Sequence, residues 1–349
     1  ELWEEDWKVP LQFGMKHVFG ENGGLGRLSH SLRIIPPILE ICGDIQRICA
    51  DAFVFNFSNP MQRVCHAVST KFPELKFTGL CHEIKSMKRQ LPLLLKTNYA
   101  NIEYQAAGLN HLSILLRANY RDTGQDAYPI IKEKFNKFYS TLVNEHEGFA
   151  SVPGAERGLF FELFRLHGYL PITTDSHLGE YVNWAHSAVD HAGIIDFYEN
   201  YRHRCLSFYE DESSYAHFFS SQKNERKEEV SVIIEHIEGD SGGHLNAVNI
   251  KNNGYLDCVP KDIVVEVPAV VDKNGVHGRT IKSYPLAFGG LLNAQAGVIQ
   301  LTTEAVLQKS KDIAYLALLA DPVVENALMA RNLLDTMIMS QKEFLGYLQ

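Results

Sequence analysis

Residues 52–82 read AFVFNFSNPMQRVCHAVSTKFPELKFTGLCH, and the order of elements in this stretch decides the fold. Two short apolar runs, AFVFNF and FTGL, have the length and composition of buried strands. A turn and one helix connect them. Strand, turn, helix and strand is the order found in parallel α/β sheets, in which ligands bind outside the carboxyl ends of the strands. The sequence therefore predicts that Asn59 and Cys81 lie side by side in one crevice.

Apolar periodicity extends this pattern in both directions along the chain. Helices are predicted at 32–50, 156–170, 187–202, 291–309 and 313–345, and strands at 101–107, 113–120 and 261–272. The pair Pro36-Pro37 is placed near the first turn of the first of these helices, where proline is tolerated. The character of the chain therefore changes from α/β to mixed α and β after about residue 100.

The composition of the 349-residue chain is that of an ordinary globular protein, with 45% hydrophobic and 21% charged residues. Its formal net charge of −9 argues against a nucleic-acid partner, because a phosphate backbone attracts a basic face. No apolar run reaches the ~18 residues of a membrane span, and Glu1–Pro10 lacks the apolar core of a signal peptide. The six cysteines form no CxxC pair, which favours a reducing compartment. We therefore expect a cytoplasmic protein without nucleic-acid or membrane partners.

Two residues with metal-binding side chains lie in loops beside apolar strands. Cys81 follows the second strand, and His111 lies between the strands predicted at 101–107 and 113–120. A thiolate and an imidazole are soft and borderline ligands that suit a divalent metal. A lone buried cysteine is more often a packing residue, and a lone histidine is more often a hydrogen-bonded structural group. Both interpretations stay open for each residue taken singly.

Six segments of the chain resemble, in order, segments of the family 4 glycoside hydrolases. They are NPM at 59–61, GLCH at 79–82, GLNH at 108–111, DSHLGEY at 175–181, IVVEVPAVVDKNG at 263–275 and AYLALLADP at 314–322. The glycine-rich stretch at 20–33 is similar to a further family segment. The joint occurrence of the first three segments in this order is far more specific than any one of them.

The resemblance implies a glycosidase that uses NAD and a divalent metal, with Mn²⁺ expected. The family is an exception to the two-carboxylate scheme of glycoside hydrolysis. Its members oxidise C3 of the sugar with NAD⁺, remove the acidified C2 proton and expel the aglycone by elimination. Water then adds, and the cofactor returns its hydride. A divalent metal stabilises the negative charge that develops on the sugar oxygens.

Matching positions carry the family's binding roles onto residues of this chain. Cys81 and His111 are the expected metal ligands. Asn59 and Asn110 are expected to hydrogen-bond sugar hydroxyls or the nicotinamide ribose. His82, next to the metal, is expected to contact the sugar.

The resemblance also implies residues for the proton transfers. Glu21 matches an acidic position that assists the leaving group. Asp175 is predicted as the base at C2, with His177 and Tyr181 as substitutes. The alternative for Asp175 is a helix N-cap or a turn residue, since aspartate is common at both.

The implied fold is similar to that of lactate and malate dehydrogenases. Residues 1–105 are expected to form the second half of a Rossmann-like parallel sheet, and residues 106–349 a mixed α+β domain for substrate binding and oligomerisation. No G-x-G-x-x-G fingerprint follows a predicted strand, so the NAD-binding residues are unknown. The chain is expected to be either a fragment of a longer enzyme or a degenerate member. Family members are commonly homodimers or homotetramers.

Several functions stay open on the sequence alone. The segments at 175–181 and 263–275 favour an α-glucoside or α-galactoside as substrate, with a 6-phosphoglycoside or a uronide as the alternative. A different class is a 2-hydroxy-acid dehydrogenase, against which the Cys81 and His111 pair argues, because hydride transfer to a keto acid needs His and Arg. An inactive remnant is the third alternative, which the missing fingerprint supports.

Overall fold

A mixed sheet of eight strands lies at the centre of the part of the chain that the structure describes. The computed structural model describes residues 2–81, 83–143, 145–146, 149–210 and 229–349. The strands are β1 (Phe53–Asn56), β2 (Lys76–Gly79), β3 (Ile102–Leu109), β4 (Leu112–Tyr120), β5 (Glu145–His146), β6 (Phe149–Ala150), β7 (Leu170–Pro171), β8 (Gly243–Lys251), β9 (Val264–Asp272) and β10 (Gly275–Gly278). The short β5 and β6 pair with each other outside this sheet.

Helices cover the sheet and form a bundle beside it. They are α1 (Leu2–Gln12), α2 (Gly24–Cys49), α3 (Met61–Lys71), α4 (Ser86–Leu95), α5 (Tyr128–Tyr139), α6 (Gly158–His167), α7 (Asp175–Leu178), α8 (His191–Glu210), α9 (Glu229–Gly239), α10 (Leu286–Gln308), α11 (Lys311–Ala320), α12 (Ala327–Ser340) and α13 (Lys342–Leu345). None of the described helices combines the length and apolar character that a membrane crossing requires.

The sheet confirms the predicted α/β class, although its parallel part is small. The strand order is β1-β2-β8-β9-β3-β4-β7, with β10 paired to β9. Only β1 and β2 run parallel among the described strands, because α3 supplies the crossover that parallel neighbours need. The other pairs are antiparallel, and two of them, β3–β4 and β8–β9, join segments close in sequence. The expectation of a parallel sheet therefore holds only for its first pair.

Strands β8 and β9 connect the two ends of the sheet. Gly79 of β2 pairs with Asn249 of β8, and Gly108 of β3 pairs with Glu266 of β9. The predicted domain boundary after residue 105 falls inside β3, at a register shift between Gln105 and Ala106. The sheet continues across this boundary, so the division into two units stays a prediction.

Helix α2 begins eight residues earlier than the sequence predicts. The N–H of Gly24 donates to Asp321 Oδ2 at 2.9 Å, which satisfies one of the donors at the helix start. Pro36 and its neighbour therefore lie inside the helix, and the prediction that they occupy its first turn is wrong. A proline there removes the donor for the carbonyl four residues before it. The Tyr347 hydroxyl replaces that donor, since it bonds to the Leu32 oxygen at 2.8 Å.

Two large apolar clusters hold these layers together. One packs helices onto the sheet around Ile114, Leu115 and Phe288, which are completely buried. The other joins α2 and α3 to the C-terminal helices, with Leu32 and Leu333 at its centre. Burial of apolar area on this scale is the main source of folding free energy. The segments that follow β1 and β2 are consequently held on a rigid frame.

Candidate active site

A cavity of about 540 Å³ lies at the carboxyl ends of β1 and β2, where α/β sheets bind ligands. Phe57 and Asn59 reach it from the loop after β1, and Cys81 and Glu83 from the segment after β2. Further lining residues are Trp3, Glu21, His111, Glu156, Ser176, His177, Phe197, Tyr198 and Tyr201. The predicted neighbours Asn59 and Cys81 therefore line one cavity.

Cys81 and His111 meet in this cavity from positions 30 residues apart, with 3.4 Å between Cys81 Sγ and His111 Nε2. Gly79, at the end of β2, has no room for a side chain, because a Cβ there would lie 2.6 Å from the sulfur atoms of Cys65 and Met61. Burial, with the carboxylates of Glu266 and Glu83 nearby, raises the pKa of Cys81. A bound cation would favour the thiolate instead.

His111 occupies the two-residue turn between β3 and β4 with a φ of 63°. This left-handed conformation favours glycine and costs a residue with a Cβ about 1 kcal/mol or more. A histidine there brings its ring into the cavity, 3% exposed. Backbone strain of this kind is concentrated at functional sites.

Glu83 and His177 are two further possible metal ligands near Cys81 and His111. Glu83, His111 and His177 each place a possible ligand atom within 4.8 Å of the others. The rings of His111 and His177 are 4.2 Å apart, and His177 Nε2 lies 3.9 Å from Glu83 Oε1. Burial lowers the pKa of His177, but Glu21, Glu83 and Glu156 together raise it above its ordinary value. Glu83, His111 and His177 therefore offer oxygen and nitrogen donors to one point, and Cys81 Sγ lies beside His111 Nε2.

Hydrogen bonds on the side of His111 away from Cys81 hold its ring in place. Asn22 Oδ1 lies 2.9 Å from His111 Nδ1, so the other ring nitrogen faces Cys81. The loop that carries Asn22 is held by the buried Glu180 carboxylate, which accepts backbone N–H bonds from Phe19, Gly20 and Asn22. Burial raises the pKa of Glu180 to about 7.

The same loop carries Glu21 into the cavity. The Tyr198 hydroxyl donates to Glu21 Oε2 at 3.4 Å. Tyr198 also contacts Ser176, whose Oγ is 3.0 Å from His177 Nδ1. Glu21 and His177, both predicted for proton transfer, thus lie on the same wall of the cavity.

Asn110 is buried next to the cavity and is not among its lining residues. Its side chain is 3% exposed and donates to Glu266 Oε2 at 3.1 Å. It also bonds to the Cys81 thiol. This geometry supports a role in holding Cys81, and the contact of Asn110 with the sugar or the nicotinamide ribose stays a prediction.

Asp175 is completely buried and does not line the cavity. Its carboxylate accepts the backbone N–H groups of Leu159 and Phe160 at the start of α6, and that of Asp190, at 2.9–3.0 Å. Burial raises the pKa of Asp175 to about 6. The geometry favours the capping alternative over the base at C2, because these bonds occupy both carboxylate oxygens.

Of the remaining predicted site residues, some line the cavity and others do not. Tyr181, a substitute for the base, is 1% exposed and donates its hydroxyl to the Asn110 carbonyl. His177 alone, of the three base candidates, lines the cavity. His82, predicted to contact the sugar, lies outside the described residues. Asn59 faces the cavity, and its Oδ1 accepts the N–H of Met61 at 3.3 Å.

Two family models match almost the whole chain. A model described as "Family 4 glycosyl hydrolase" matches residues 1–97, and one described as "Family 4 glycosyl hydrolase C-terminal domain" matches residues 106–324. The chain belongs to glycoside hydrolase family 4. This family 4 protein is a glycosidase, which confirms the resemblance in its segments and decides against the dehydrogenase alternative.

Curated relatives of this family 4 glycosidase match 95% or more of its length. It is 42% identical to an alpha-glucosidase of Erwinia rhapontici, over the whole chain and 80% of the relative. It is 26% identical to an alpha-galactosidase of Bacillus subtilis (strain 168), over 95% of the chain and 74% of the relative. An alpha-galacturonidase of Thermoanaerobacterium saccharolyticum is also 26% identical, over 98% of the chain and 77% of the relative.

Solved structures share the fold of this family 4 glycosidase. The protein lplD of Bacillus subtilis superimposes with a TM-score of 0.79 at 24% identity, over 96% of the chain and 80% of lplD. A 6-phospho-alpha-glucosidase from gut microorganisms, solved in complex with NAD and Mn²⁺, superimposes with a TM-score of 0.75 at 22% identity, over 98% of the chain and 78% of that protein.

Glu83 and Tyr198 are among the cavity residues that sequence reasoning missed, and both contact predicted site residues. Glu83 follows Cys81 by two positions, and a carboxylate so near a predicted metal ligand is a signal that the sequence does contain. Tyr198 lies in a helix whose aromatic residues resemble ordinary packing, so the sequence held no signal for its contact with Glu21.

Proposed function

We propose that this glycosidase cleaves α-glucosides by the family's route of C3 oxidation, C2 deprotonation and elimination, with NAD and a divalent metal. The observation that carries the proposal is the 3.4 Å approach of Cys81 Sγ and His111 Nε2 in a cavity. The 42% identity with an alpha-glucosidase supports the choice of sugar. An α-galactoside is the neighbouring alternative within the same chemistry.

The donor set in the cavity fits a divalent metal such as Mn²⁺. Cys81 and His111 would hold it, and Glu83 offers an oxygen ligand within 4.8 Å of the His111 donor. Asn22 and Asn110 support the two ligands from behind. When bound, the metal supplies positive charge that stabilises negative charge on sugar oxygens, and NAD⁺ accepts and returns a hydride.

Residues of this chain supply the proton transfers in the proposal. His177 takes the proton from C2, because it is the base candidate that lines the cavity. Glu21 gives a proton to the departing oxygen, and Tyr198 holds its carboxylate through the 3.4 Å bond. Asn59 binds sugar hydroxyls at the carboxyl end of β1. His82 stays a predicted sugar contact.

The described lining residues of the cavity carry both signs of charge. They include the carboxylates of Glu21, Glu83 and Glu156 and the guanidinium groups of Arg89 and Arg157. A bound divalent metal would add two positive charges to them. The choice of a glucoside over the 6-phosphoglycoside and uronide alternatives therefore rests on the 42% identity with an alpha-glucosidase.

Release of p-nitrophenolate tests the proposal. The protein is incubated with Mn²⁺, NAD⁺, a reductant and a panel of neutral, 6-phosphorylated and uronic p-nitrophenyl α-glycosides. We expect release from the α-glucoside that stops when either NAD⁺ or Mn²⁺ is omitted, together with exchange of the C2 proton in D₂O. Release that continues without NAD⁺ would overturn the redox route. No release from any substrate would favour the inactive-remnant alternative.

A further inference from the structure

One side of the cavity is built of aromatic rings, to which the proposed chemistry gives no role beyond the hydroxyl of Tyr198. This aromatic wall consists of Trp3 from α1 and Phe197, Tyr198 and Tyr201 from α8, all of which line the cavity. Phe57, from the loop after β1, adds a fifth ring and is 53% exposed. An exposed phenylalanine that lines a cavity offers apolar area to a ligand.

The rings of the aromatic wall are continuous. Trp3 and Tyr198 have centroids 5.8 Å apart, and Tyr198 and Phe197 have centroids 5.4 Å apart. Phe197 and Tyr201, four residues apart on one face of α8, are parallel within 5° at 6.4 Å. Tyr198 is fixed from behind by Phe19, whose ring stacks on it at 3.6 Å. The wall is therefore preorganised, which limits the entropy lost when a ligand binds.

Tyr198 places the aromatic wall on the leaving-group side of the cavity. Its ring belongs to the wall, while its hydroxyl donates to Glu21 Oε2 at 3.4 Å. Glu21 is the residue proposed to protonate the departing oxygen, so the group attached to that oxygen must lie near Tyr198. None of the five rings carries a charge, so this surface suits a neutral partner.

We infer that the aromatic wall and Phe57 form the aglycone subsite and bind the apolar C–H face of a second sugar ring. These rings then determine the preference for a second sugar ring over a small alcohol as the aglycone. This inference rests on the proposed function. It adds a specificity that neither the metal site nor the proton-transfer residues provide.

The test compares kcat/KM for an α-linked glucose disaccharide with kcat/KM for methyl α-glucoside, using the holoprotein with NAD⁺ and Mn²⁺. The ratio of the two values reports the aglycone contact, because the glucosyl part is common to both substrates. In Phe57→Ala and in Tyr201→Ala we expect the ratio to fall about 2- to 10-fold. Phe57→Tyr, which keeps the ring, should restore it.

Phe344→Ala is the matched control, because Phe344 is 45% exposed and lies outside the cavity lining. Its ratio should equal that of the wild type. Cleavage of both substrates with an unchanged ratio in Phe57→Ala and Tyr201→Ala would overturn the subsite alone. Cleavage of neither substrate by the wild type would overturn the proposed function, and the inference with it.

Discussion

Asn22 Oδ1 accepts a hydrogen bond from His111 Nδ1 at 2.9 Å, and the other ring nitrogen of His111 faces Cys81. The contact depends on a residue far away in sequence, because Glu180 holds the loop of Asn22 through three backbone N–H groups. An anchored acceptor behind a histidine ligand is a common device for fixing its tautomer and orientation. Metal affinity should therefore depend on residues that never touch the metal.

Replacing Asn22 with alanine tests this dependence. We expect the affinity for Mn²⁺ to fall about 10- to 100-fold in Asn22→Ala, because the ring of His111 loses its orientation. Isothermal titration of the protein with Mn²⁺ measures the change. Asn332→Ala, on the exposed surface of α12, is the control. Equal affinities in the two variants would mean that His111 is oriented by its other contacts.

The Cys81 thiol should matter more than Asn22, since it is proposed to bind the metal itself. Cys81→Ala is expected to lower the Mn²⁺ affinity by more than the about 100-fold upper value for a residue behind a ligand. Cys258→Ala changes a half-buried thiol outside the cavity and should titrate like the wild type. If Cys81→Ala retained wild-type affinity, the metal would have to be held by Glu83, His111 and His177.

Asp175 offers a choice between a cap and a base. Because its carboxylate accepts three backbone N–H bonds in a buried position, Asp175→Ala should lower the free energy of unfolding by about 1–3 kcal/mol or more. Urea denaturation measures this loss, and C2 proton exchange in the folded fraction measures catalysis. If C2 proton exchange disappeared while the free energy of unfolding stayed unchanged, Asp175 would be the base and not the cap.

The buried His66 predicts a dependence of stability on pH. It is 4% exposed with Nδ1 2.9 Å from Thr303 Oγ1, and burial lowers its pKa to about 4. Between about pH 6.5 and pH 4 the unfolded chain binds a proton at this position and the folded chain does not. The free energy of unfolding should therefore fall on acidification, by about 1.4 kcal/mol per pH unit from this residue.

His66→Gln isolates that contribution, because other buried groups such as Glu180 have raised pKa values and act in the opposite direction. Denaturation curves at pH 7, 6 and 5 give the slope for each protein. The wild type should lose more stability than His66→Gln over this interval. Parallel slopes would show that His66 titrates alike in the folded and unfolded chains.

The proline-containing helix α2 depends on the Tyr347 hydroxyl. Tyr347→Phe leaves the Leu32 carbonyl without that donor, and we expect a loss of about 0.5–1.5 kcal/mol in the free energy of unfolding. Tyr315→Phe removes a similar hydroxyl bond, to the Ala327 carbonyl, at an exposed position and should cost less. An equal effect of the two substitutions on the melting temperature would contradict the role of Tyr347.

Local sequence patterns predicted the elements whose formation depends mainly on neighbouring residues. The strand, helix and strand around Asn59 and Cys81 follow from apolar periodicity, and the crevice follows from the rule for strand ends. Asn110 and Asp175 were harder, because their side chains bond to Glu266 and to the start of α6, which only the fold brings near. The homodimer or homotetramer expected from the resemblance stays a prediction that light scattering can test.

The start of α2 and the small parallel part of the sheet show the same limit. A helix pattern in sequence does not reveal that Asp321, almost three hundred residues later, will bond to the N–H of Gly24. Likewise, periodicity predicts β9 but not β8, and the place of both strands between β2 and β3 depends on long-range pairing. Long-range partners therefore set the boundaries that periodicity leaves open.

That place in the sheet has a consequence for synthesis of the chain. The ribosome produces β1–β2 and β3–β4 before β8 and β9. Among the described strands, β8 and β9 join these two pairs into one sheet, and they are complete at Asp272. Until then the nascent chain carries open strand edges, and such edges are templates for aggregation. Pairing across so long a stretch is slow because loop closure comes first. Chaperone demand should consequently peak before Asp272 emerges from the exit tunnel and decline after it.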